Sequence, residues 1–480
     1  MNPYAALDYD SDEDEDPNAN PEIAAIGAGT MAKNLRSTSE LRPMKYREAI
    51  KTEDKEEWAR ATKDEYNRLV KNDVFKVVPI KDVPEGTHIM TNTWACKKKA
   101  NGTFRARLNM KGFEQIPGEH YEPDWISAPV ARDVAIRLML CLMLMSGMYA
   151  HLVDVQGAFL LGQFANSEQI YSYVPEGWEA LLPEHVVLLL LRTVCGLKQA
   201  ANCFYNLLSS TMSSLGFNKS RADSAMFYKW HPVHSLLVWL SWVDDLAGFG
   251  EKDAVLEEVS GMSKKFAVDD VGEMTEYLGC VLKFNRENTD KEHPSVTLIQ
   301  PTLVQRFEDE FSPLQTNMTT PVAQRTRLRR PKEGEAVSEV CQKSYRTIVG
   351  ILIHITRWSG PDIMNAVREA TKHMQASTPA HKRYVNVLIG FLTRSKNRGW
   401  KLMPTRKWDK RDKAFKFKIK GKSDSDYATC PDTRRSVTGY MIWFEGALIA
   451  VRSVMQKIAA LSSAEAELIA LVLCLQEMIF

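Results

Sequence analysis

Three aspartates stand where a carboxylate is expensive. Asp244 and Asp245 interrupt the apolar stretch "LSWVDDLAGFG", and Asp154 interrupts "YAHLVDVQGAFLLG". Short apolar runs of this kind read as buried strands. Burying even a neutral polar group without a partner costs roughly 2–7 kcal/mol. A hard divalent cation is a natural partner, because Mg²⁺ takes oxygen ligands and is shared between one or two carboxylates and substrate phosphates. Two such ions about 3.5–4 Å apart activate an attacking oxygen and stabilise a leaving one. Two strands that set Asp154 beside Asp244 would build that site. Strand-end or turn capping is the competing reading of each aspartate, and the chemistry leaves nucleases, phosphatases and polymerases all open.

The elements that must position these acids follow from pattern. "KTEDKEEWARATKDEYNRLVKN" predicts a helix with Trp58, Ala61, Tyr66 and Leu69 on one face, started near Thr52 and stopped by Asn72-Asp73. "TNTWACKKKANGTFRARLNMKGF" predicts two strands joined at Asn101-Gly102 and carrying Lys97, Lys98, Lys99, Arg105, Arg107 and Lys111. Such a hairpin is either a phosphate-gripping finger or a solvated edge protected by Lys. "LMLCLMLMSGMY" is too short to span a bilayer and reads as a Met-rich core helix. Helices are expected over "GLKQAANCFYNLLSSTMSSLGF", "EKDAVLEEVSGMSKKFAV" and most of 344–400, with strands and then a helix over 413–480. Strands and helices interleave without a strict βαβ rhythm, so the fold class is α+β.

Charge is unevenly spread. The net charge of +2 hides seven acids in the first sixteen residues, and residues 1–42 read as a disordered acidic tail. From Lys382 to Lys422 fifteen Lys and Arg face two acids, a net of +13. That field suits a polyanion, and a solvated linker is the plainer account. Lys416, Lys418, Lys420 and Lys422 are its densest part and the candidate nucleic-acid contacts. Eight scattered cysteines form no C-x-x-C, which fits reduced thiols in an intracellular protein.

In order along the chain stand "ARLNMKGFEQIPGEHYEPDWISAPVARDVAIRLML", "DVQGAFLLGQF", "YVPEGW", "GLKQAANCFYNLLSSTMSSLGF", "ADSAMFYK", "WVDDL", "VGEMTEYLGCVL", "YRTIVGILIHIT", "GPDIMNAV", "SDSDYATCPDTRRSVTGY" and "ALSSAEAELIAL". Together they resemble the reverse transcriptase of copia-type LTR retrotransposons, over about residues 44 to 480. The resemblance implies a right-hand polymerase with fingers, palm and thumb over 43–318. A helical, basic connection over 319–412 and a truncated ribonuclease H-like α/β segment over 413–480 would follow. It implies that Asp154, Asp244 and Asp245 bind two Mg²⁺ ions, with Mn²⁺ as a substitute. Phe159 would be the sugar gate and Gln199 a nucleotide contact, with Lys198 a weaker one. Arg105, Arg107 and Lys111 would touch triphosphate or template, and Asp424 and Glu467 would be ribonuclease H metal ligands. The implied partners are an RNA template, a DNA primer, their RNA–DNA hybrid and dNTPs, with no membrane. The implied place is inside the cell, in a cytoplasmic particle or the nucleus.

The sequence departs from the family pattern at several points. Trp242 stands for the Tyr before Val-Asp-Asp, "GLKQAANCFY" lacks the usual Pro and Arg, and "TRWSGPDI" carries an insertion. A decayed copy that folds and binds nucleic acid without catalysis is therefore the alternative. Ribonuclease H activity is not expected from a segment that stops at Phe480 within the first helix.

Overall fold

The computed structural model describes residues 43–479 apart from 99–101, 165–167, 287–292, 312, 315–318 and 324–325. The acidic tail, the Asn101 turn residue with Lys99, the 318/319 boundary and Phe480 lie outside the described residues. The N-terminal part holds α1 (Tyr46–Ala49), α2 (Lys55–Lys71), β1 (Phe75–Pro79), β2 (Ile89–Met90), β3 (Asn92–Lys98) and β4 (Phe104–Met110). Helix α2 begins at Lys55 after Asp54, three residues beyond the expected Thr52 start, and ends at Asn72 as expected. It buries Trp58, Ala61 and Leu69 against Ala106, Leu108 and Met110 of β4. Because side chains alternate along a strand, this leaves Arg105, Arg107 and Asn109 on the opposite, half-exposed face of the hairpin.

Next come α3 (Asp133–Ser146), β5 (Tyr149–Val155), α4 (Ala158–Leu161), β6 (Ile170–Tyr173), β7 (Val186–Leu190) and α5 (Ala200–Ser214). They are followed by β8 (Asn218–Lys219), β9 (Met226–His231), β10 (Ser235–Trp242), β11 (Asp245–Gly250), α6 (Lys252–Ser263) and β12 (Val268–Glu273). Six of these strands make the central sheet, in the order β12-β5-β11-β10-β9-β8. The Met-rich segment is buried within α3, as its composition predicts. Ala150, Leu152, Ala247 and Phe249 face the core shared with α3, while Val153, Val155, Leu246 and Trp239 face the one under α5 and α6. Both faces are covered, which explains the near-continuous apolar strands.

The remainder is β13 (Glu276–Tyr277), β14 (Cys280–Asn285), β15 (Ser295–Ile299), α7 (Pro301–Glu310), α8 (Glu339–Trp358), α9 (Met364–Thr371) and α10 (Pro379–Thr393). Then follow β16 (Trp400–Leu402), β17 (Ile419–Asp426), β18 (Val437–Phe444), β19 (Ala447–Met455) and α11 (Ser463–Ile479). Helices α7 to α10 share one core. Strand β16 pairs with β15 across the intervening helices, with Trp400 opposite Leu298. The strands β17-β18-β19 form a separate antiparallel sheet with α11 packed on β17 and β18.

A buried ionic junction ties this last sheet to the central one. Arg137 of α3 is fully buried, pairs with Asp133 one turn earlier, and donates to the carbonyls of Ile449 and Arg357. Its guanidinium lies 4.1 Å from the Trp400 ring centroid. Arg452 of β19 and Arg357 stand 3.6 and 3.8 Å from the same aspartate. Despite burial, these three arginines hold the Asp133 carboxyl down at about 2.

Candidate active site

Strand register places the acids. Asp245 opens β11 and sits opposite Asp154 of β5. Both share parity with Leu152 and Ala247, so both carboxylates leave the same face of the central sheet at one end of it. Asp244 lies in the two-residue turn between Trp242 and Asp245, and its carbonyl accepts the Val155 N–H at 3.0 Å. The preceding Val243 holds φ at +57°, a conformation that a β-branched residue rarely adopts. One signal escaped the sequence reading. Asp269 of β12 is the register partner of Asp154 on its other side, so Asp245, Asp154 and Asp269 form a row across three strands. The "VDDVGEM" run could have suggested it. Gln156 donates to Asp269.

The electrostatics are those of uncompensated like charges. Burial first, then Asp244 and Asp154, pushes the Asp245 carboxyl up to about 8. Burial, Asp244 and Asp269 push Asp154 up to about 6 against the pull of Arg105 and Arg107. Asp244 is also raised by burial, while its own backbone N–H and the same two arginines pull it down. Among the described residues no side chain donates a hydrogen bond or ion pair to Asp154 or Asp245. Nor do three or more His, Cys, Asp or Glu among the described residues form a ready-made metal cage. An oxygen-only set with two acids on one face, and no cation already paired to them, fits Mg²⁺ that completes its shell with phosphate and water.

Arg105 and Arg107 reach this acidic end electrostatically from the hairpin. Arg105 is lowered chiefly by burial and by the neighbouring Arg107 and Arg68, and Asp154 counteracts this. Lys111 instead points to Glu114, at 3.9 Å. Phe159 of α4 is half-buried against the N-terminal core, and its carbonyl accepts the Thr193 hydroxyl. Gln199 is only 3 % exposed and is turned into a polar network. Lys198 beside it is exposed, with its ammonium 2.9 Å from the Tyr121 hydroxyl.

In the last sheet, Asp424 is exposed on β17, and Glu467 of α11 accepts the adjacent Ser425 N–H at 3.2 Å. Asp426 is taken by Arg327. Lys416, Lys418, Lys420 and Lys422 are all exposed, with Lys420 and Lys422 on the same β17 face as Asp424. Part of the wider basic run is paired in place, by Lys396–Glu308, Arg398–Asp362, Arg406–Glu445 and Lys410–Glu251. No helix among the described residues is long and apolar enough to cross a membrane.

Residues 72–301 match the family model for reverse transcriptase (RNA-dependent DNA polymerase). The retrovirus-related Pol polyprotein from transposon TNT 1-94 of Nicotiana tabacum is 29% identical over 448 residues, 91% of this chain and 32% of that protein. The Pol polyprotein from transposon RE1 of Arabidopsis thaliana is 27% identical over 444 residues, 91% of this chain and 28% of that protein. The chain thus spans about a third of the length of these relatives. A foamy viral protease-reverse transcriptase, solved with double-stranded DNA, is 13% identical with a TM-score of 0.46, over 88% of this chain and 60% of that one. Over most of its length this chain is similar to the Pol polyproteins of copia-type transposons, and its residues 72–301 match the reverse transcriptase family model.

Proposed function

We propose that the chain is an RNA-directed DNA polymerase, which transfers nucleotides from dNTPs to a primer 3′-hydroxyl on an RNA or DNA template. The observation that carries this reading is the row of unpaired carboxylates facing two arginines. Asp154 and Asp245 share a sheet face, Asp244 is pinned in the adjoining turn, and Arg105 and Arg107 approach from a separate hairpin. An acidic end alone would repel a triphosphate. The opposed arginines supply the charge that binds it and brings it to the acids.

Asp154, Asp244 and Asp245 would hold Mg²⁺, which when bound supplies Lewis-acid stabilisation of the phosphoryl group and lowers the pKa of an attacking hydroxyl. The protein's own part is positional. The strand register fixes the separation of Asp154 and Asp245, and the Val155 N–H anchors the Asp244 turn. Arg105 and Arg107 orient the triphosphate, and Phe159, five residues after Asp154 and half-buried against the N-terminal core, would exclude a ribose 2′-hydroxyl. In this reading the central sheet is the palm, and β3–β4 with α2 belongs to the fingers. Units 43–318, 319–412 and 413–480 are then polymerase, connection and ribonuclease H-like segment. Asp424 and Glu467 would be the metal ligands of that last segment. The exposed Lys416–Lys422 row receives the RNA–DNA hybrid, within a retrotransposon particle or the nucleus.

The test is primer extension on poly-rA with an oligo-dT primer and Mg²⁺. The wild type should extend, and Asp244→Asn should not while keeping its far-UV circular dichroism. Normal extension by Asp244→Asn refutes the assignment.

A further inference from the structure

The last sheet ends on an open strand whose charges are arranged to meet their own copy. In the order β17-β18-β19, β17 is an edge, and among the described residues no strand pairs with its outer side. Lys420, Lys422, Asp424 and Asp426 are exposed on one face of it, two lysines towards one end and two aspartates towards the other. Backbone direction decides how a second strand could add. The Lys418 carbonyl accepts the Glu445 N–H at 2.9 Å on the β18 side, whereas the Ser425 N–H turns away from β18 to the Glu467 carboxylate at 3.2 Å. The backbone donors and acceptors of Ile419, Gly421, Ser423 and Ser425 therefore point to the open edge. An antiparallel copy must set these residues opposite one another. A two-fold axis at Lys422 would face that lysine with itself, and one at Asp424 would face that aspartate with itself. An axis at Ser423 faces Lys422 with Asp424 and Lys420 with Asp426, each pair twice, with no like charges opposed.

The helix on this strand is apolar on the side turned away from the sheet. Ala466, Ala470 and Cys474 seat α11 on the sheet. From Leu468 onwards each exposed residue of α11 is apolar: Leu468, Leu471, Val472, Leu475 and Ile479 are 44 to 74 % exposed. A contiguous stripe of this kind marks an interaction surface more often than a face that meets only water. Its position agrees with the strand register. A Cβ on Gly421 would stand 2.5 Å from the Met478 sulfur and 2.8 Å from that of Cys474, and Glu467 reaches Ser425. Helix and strand are thus antiparallel, and Leu471 is level with Ser423. With each helix seated across β17 and β18, two strand spacings of about 4.8 Å would separate the helix axes, close to the roughly 8–10 Å of packed helices. Leu471 would meet its own copy on the two-fold axis, flanked by Leu468 and Leu475.

We propose that a second copy of this chain adds to β17 across a two-fold axis at Ser423, giving a continuous six-stranded sheet with α11 packed on its counterpart. Two independent observations choose this partner. Of the registers the backbone allows, the strand charges are self-complementary in one, and the same axis centres the apolar stripe. Pairing moves the Ser425 N–H from Glu467 to the Gly421 carbonyl of the copy, and Asp426 keeps its contact with Arg327. Lys416 and Lys418 lie outside the paired stretch. The ion pairs and edge hydrogen bonds fix the register, and burial of the leucines supplies most of the affinity. The inference goes beyond the polymerase reading and does not rest on it.

The experiment is sedimentation velocity of the full chain over about 1–100 µM, a range that suits an interface at the small end of specific ones. The wild type should pass reversibly from one to two chain masses. Lys422→Asp and Asp424→Lys each set like charges opposite one another twice, and each should weaken self-association by about tenfold or more in Kd. Mixed one to one, the two variants should associate as the wild type does, because each new charge then faces its opposite. Leu471→Asp should abolish the dimer with unchanged far-UV circular dichroism. Val340→Asp, at an apolar residue 81 % exposed on α8, should change nothing. A single chain mass throughout overturns the proposal, and so does association that survives Leu471→Asp. Association lost in Leu471→Asp but unaffected in both charge variants also overturns it, since the helix would then be adhesive without the strand. Failure of the mixed variants to associate, when each keeps the wild-type circular dichroism, refutes the register. Should Asp424→Lys not fold, Lys422→Asp alone decides, and its undiminished association overturns the proposal.

Discussion

Replacing Asp245 by Asn should make the metal-free protein more stable while abolishing its response to Mg²⁺. The carboxyl is 6 % exposed and is pushed up to about 8 by burial and by Asp244 and Asp154. In the unfolded chain it returns to the ordinary value of 3.8. Between these two values the folded state binds the proton that the unfolded state has lost. The folded state is therefore penalised progressively as pH rises from 4 towards 8. At pH 7 the gap of about three units amounts to at most about 4 kcal/mol. Asn carries no such penalty, although its amide lacks a partner at a cost of roughly 1–3 kcal/mol. The expected net gain is about 1–3 kcal/mol at pH 7, shrinking as pH falls towards 4. Urea denaturation in EDTA measures it. Repeating the titration in Mg²⁺ at ten times its Kd should add about 1.4 kcal/mol to the wild type and nothing to the variant. A variant less stable than the wild type in EDTA, or equal Mg²⁺ stabilisation of both, would refute the picture of an acid row waiting for a cation.

Three further outcomes are expected. Asp133→Asn leaves Arg137, Arg357 and Arg452 without their shared carboxylate and should cost about 3–5 kcal/mol in urea denaturation at pH 7; a loss under about 1 kcal/mol would show that water reaches the junction. Phe159→Val should raise ribonucleotide over deoxyribonucleotide incorporation by about 1–3 kcal/mol of lost discrimination in a competition assay, and an unchanged ratio would return Phe159 to core packing alone. Changing Lys416, Lys418, Lys420 and Lys422 together to Gln should flatten the log–log salt dependence of hybrid binding by about 0.7–0.9 per lost phosphate contact, and equal slopes would mark the row as merely solvated.

The acids were legible because charge inside an apolar run is rare and because period-two alternation fixes which strand residues share a face. Pairing Asp154 with Asp245, rather than with Asp244, needed the actual register, which no local pattern encodes. The helices α2, α3, α5 and α6 were legible from their apolar spacing. The basic run is not one element: its charges are spread over α10, β16, β17 and the segments between them, and five of the fifteen meet acids outside the run, which no local pattern encodes. Arg137 was also opaque. It stands at the edge of the Met-rich stretch, and its carbonyl partners Ile449 and Arg357 lie hundreds of residues away. Nothing around position 137 distinguishes a fully buried arginine from an exposed one.

The turn that carries Asp244 shows why a departure in sequence need not loosen a site. A positive φ at the first central residue of a two-residue hairpin favours glycine, yet Val243 occupies it. Such strain costs of order 1–3 kcal/mol and persists only where the surroundings over-determine the backbone. Here the surroundings are specific. The Val155 N–H holds the Asp244 carbonyl, the Trp242–Asp245 pair closes the ladder, and the Trp242 ring meets Trp358 edge-on at 6.0 Å with Arg357 above it at 5.5 Å. Trp242 replaces the tyrosine expected there, and its larger ring finds its contacts on α8, the helix whose Arg357 also faces Asp133. The substitution that looked like decay in the sequence thus ties the strained turn, and the acid it presents, to the ionic junction between the central and last sheets.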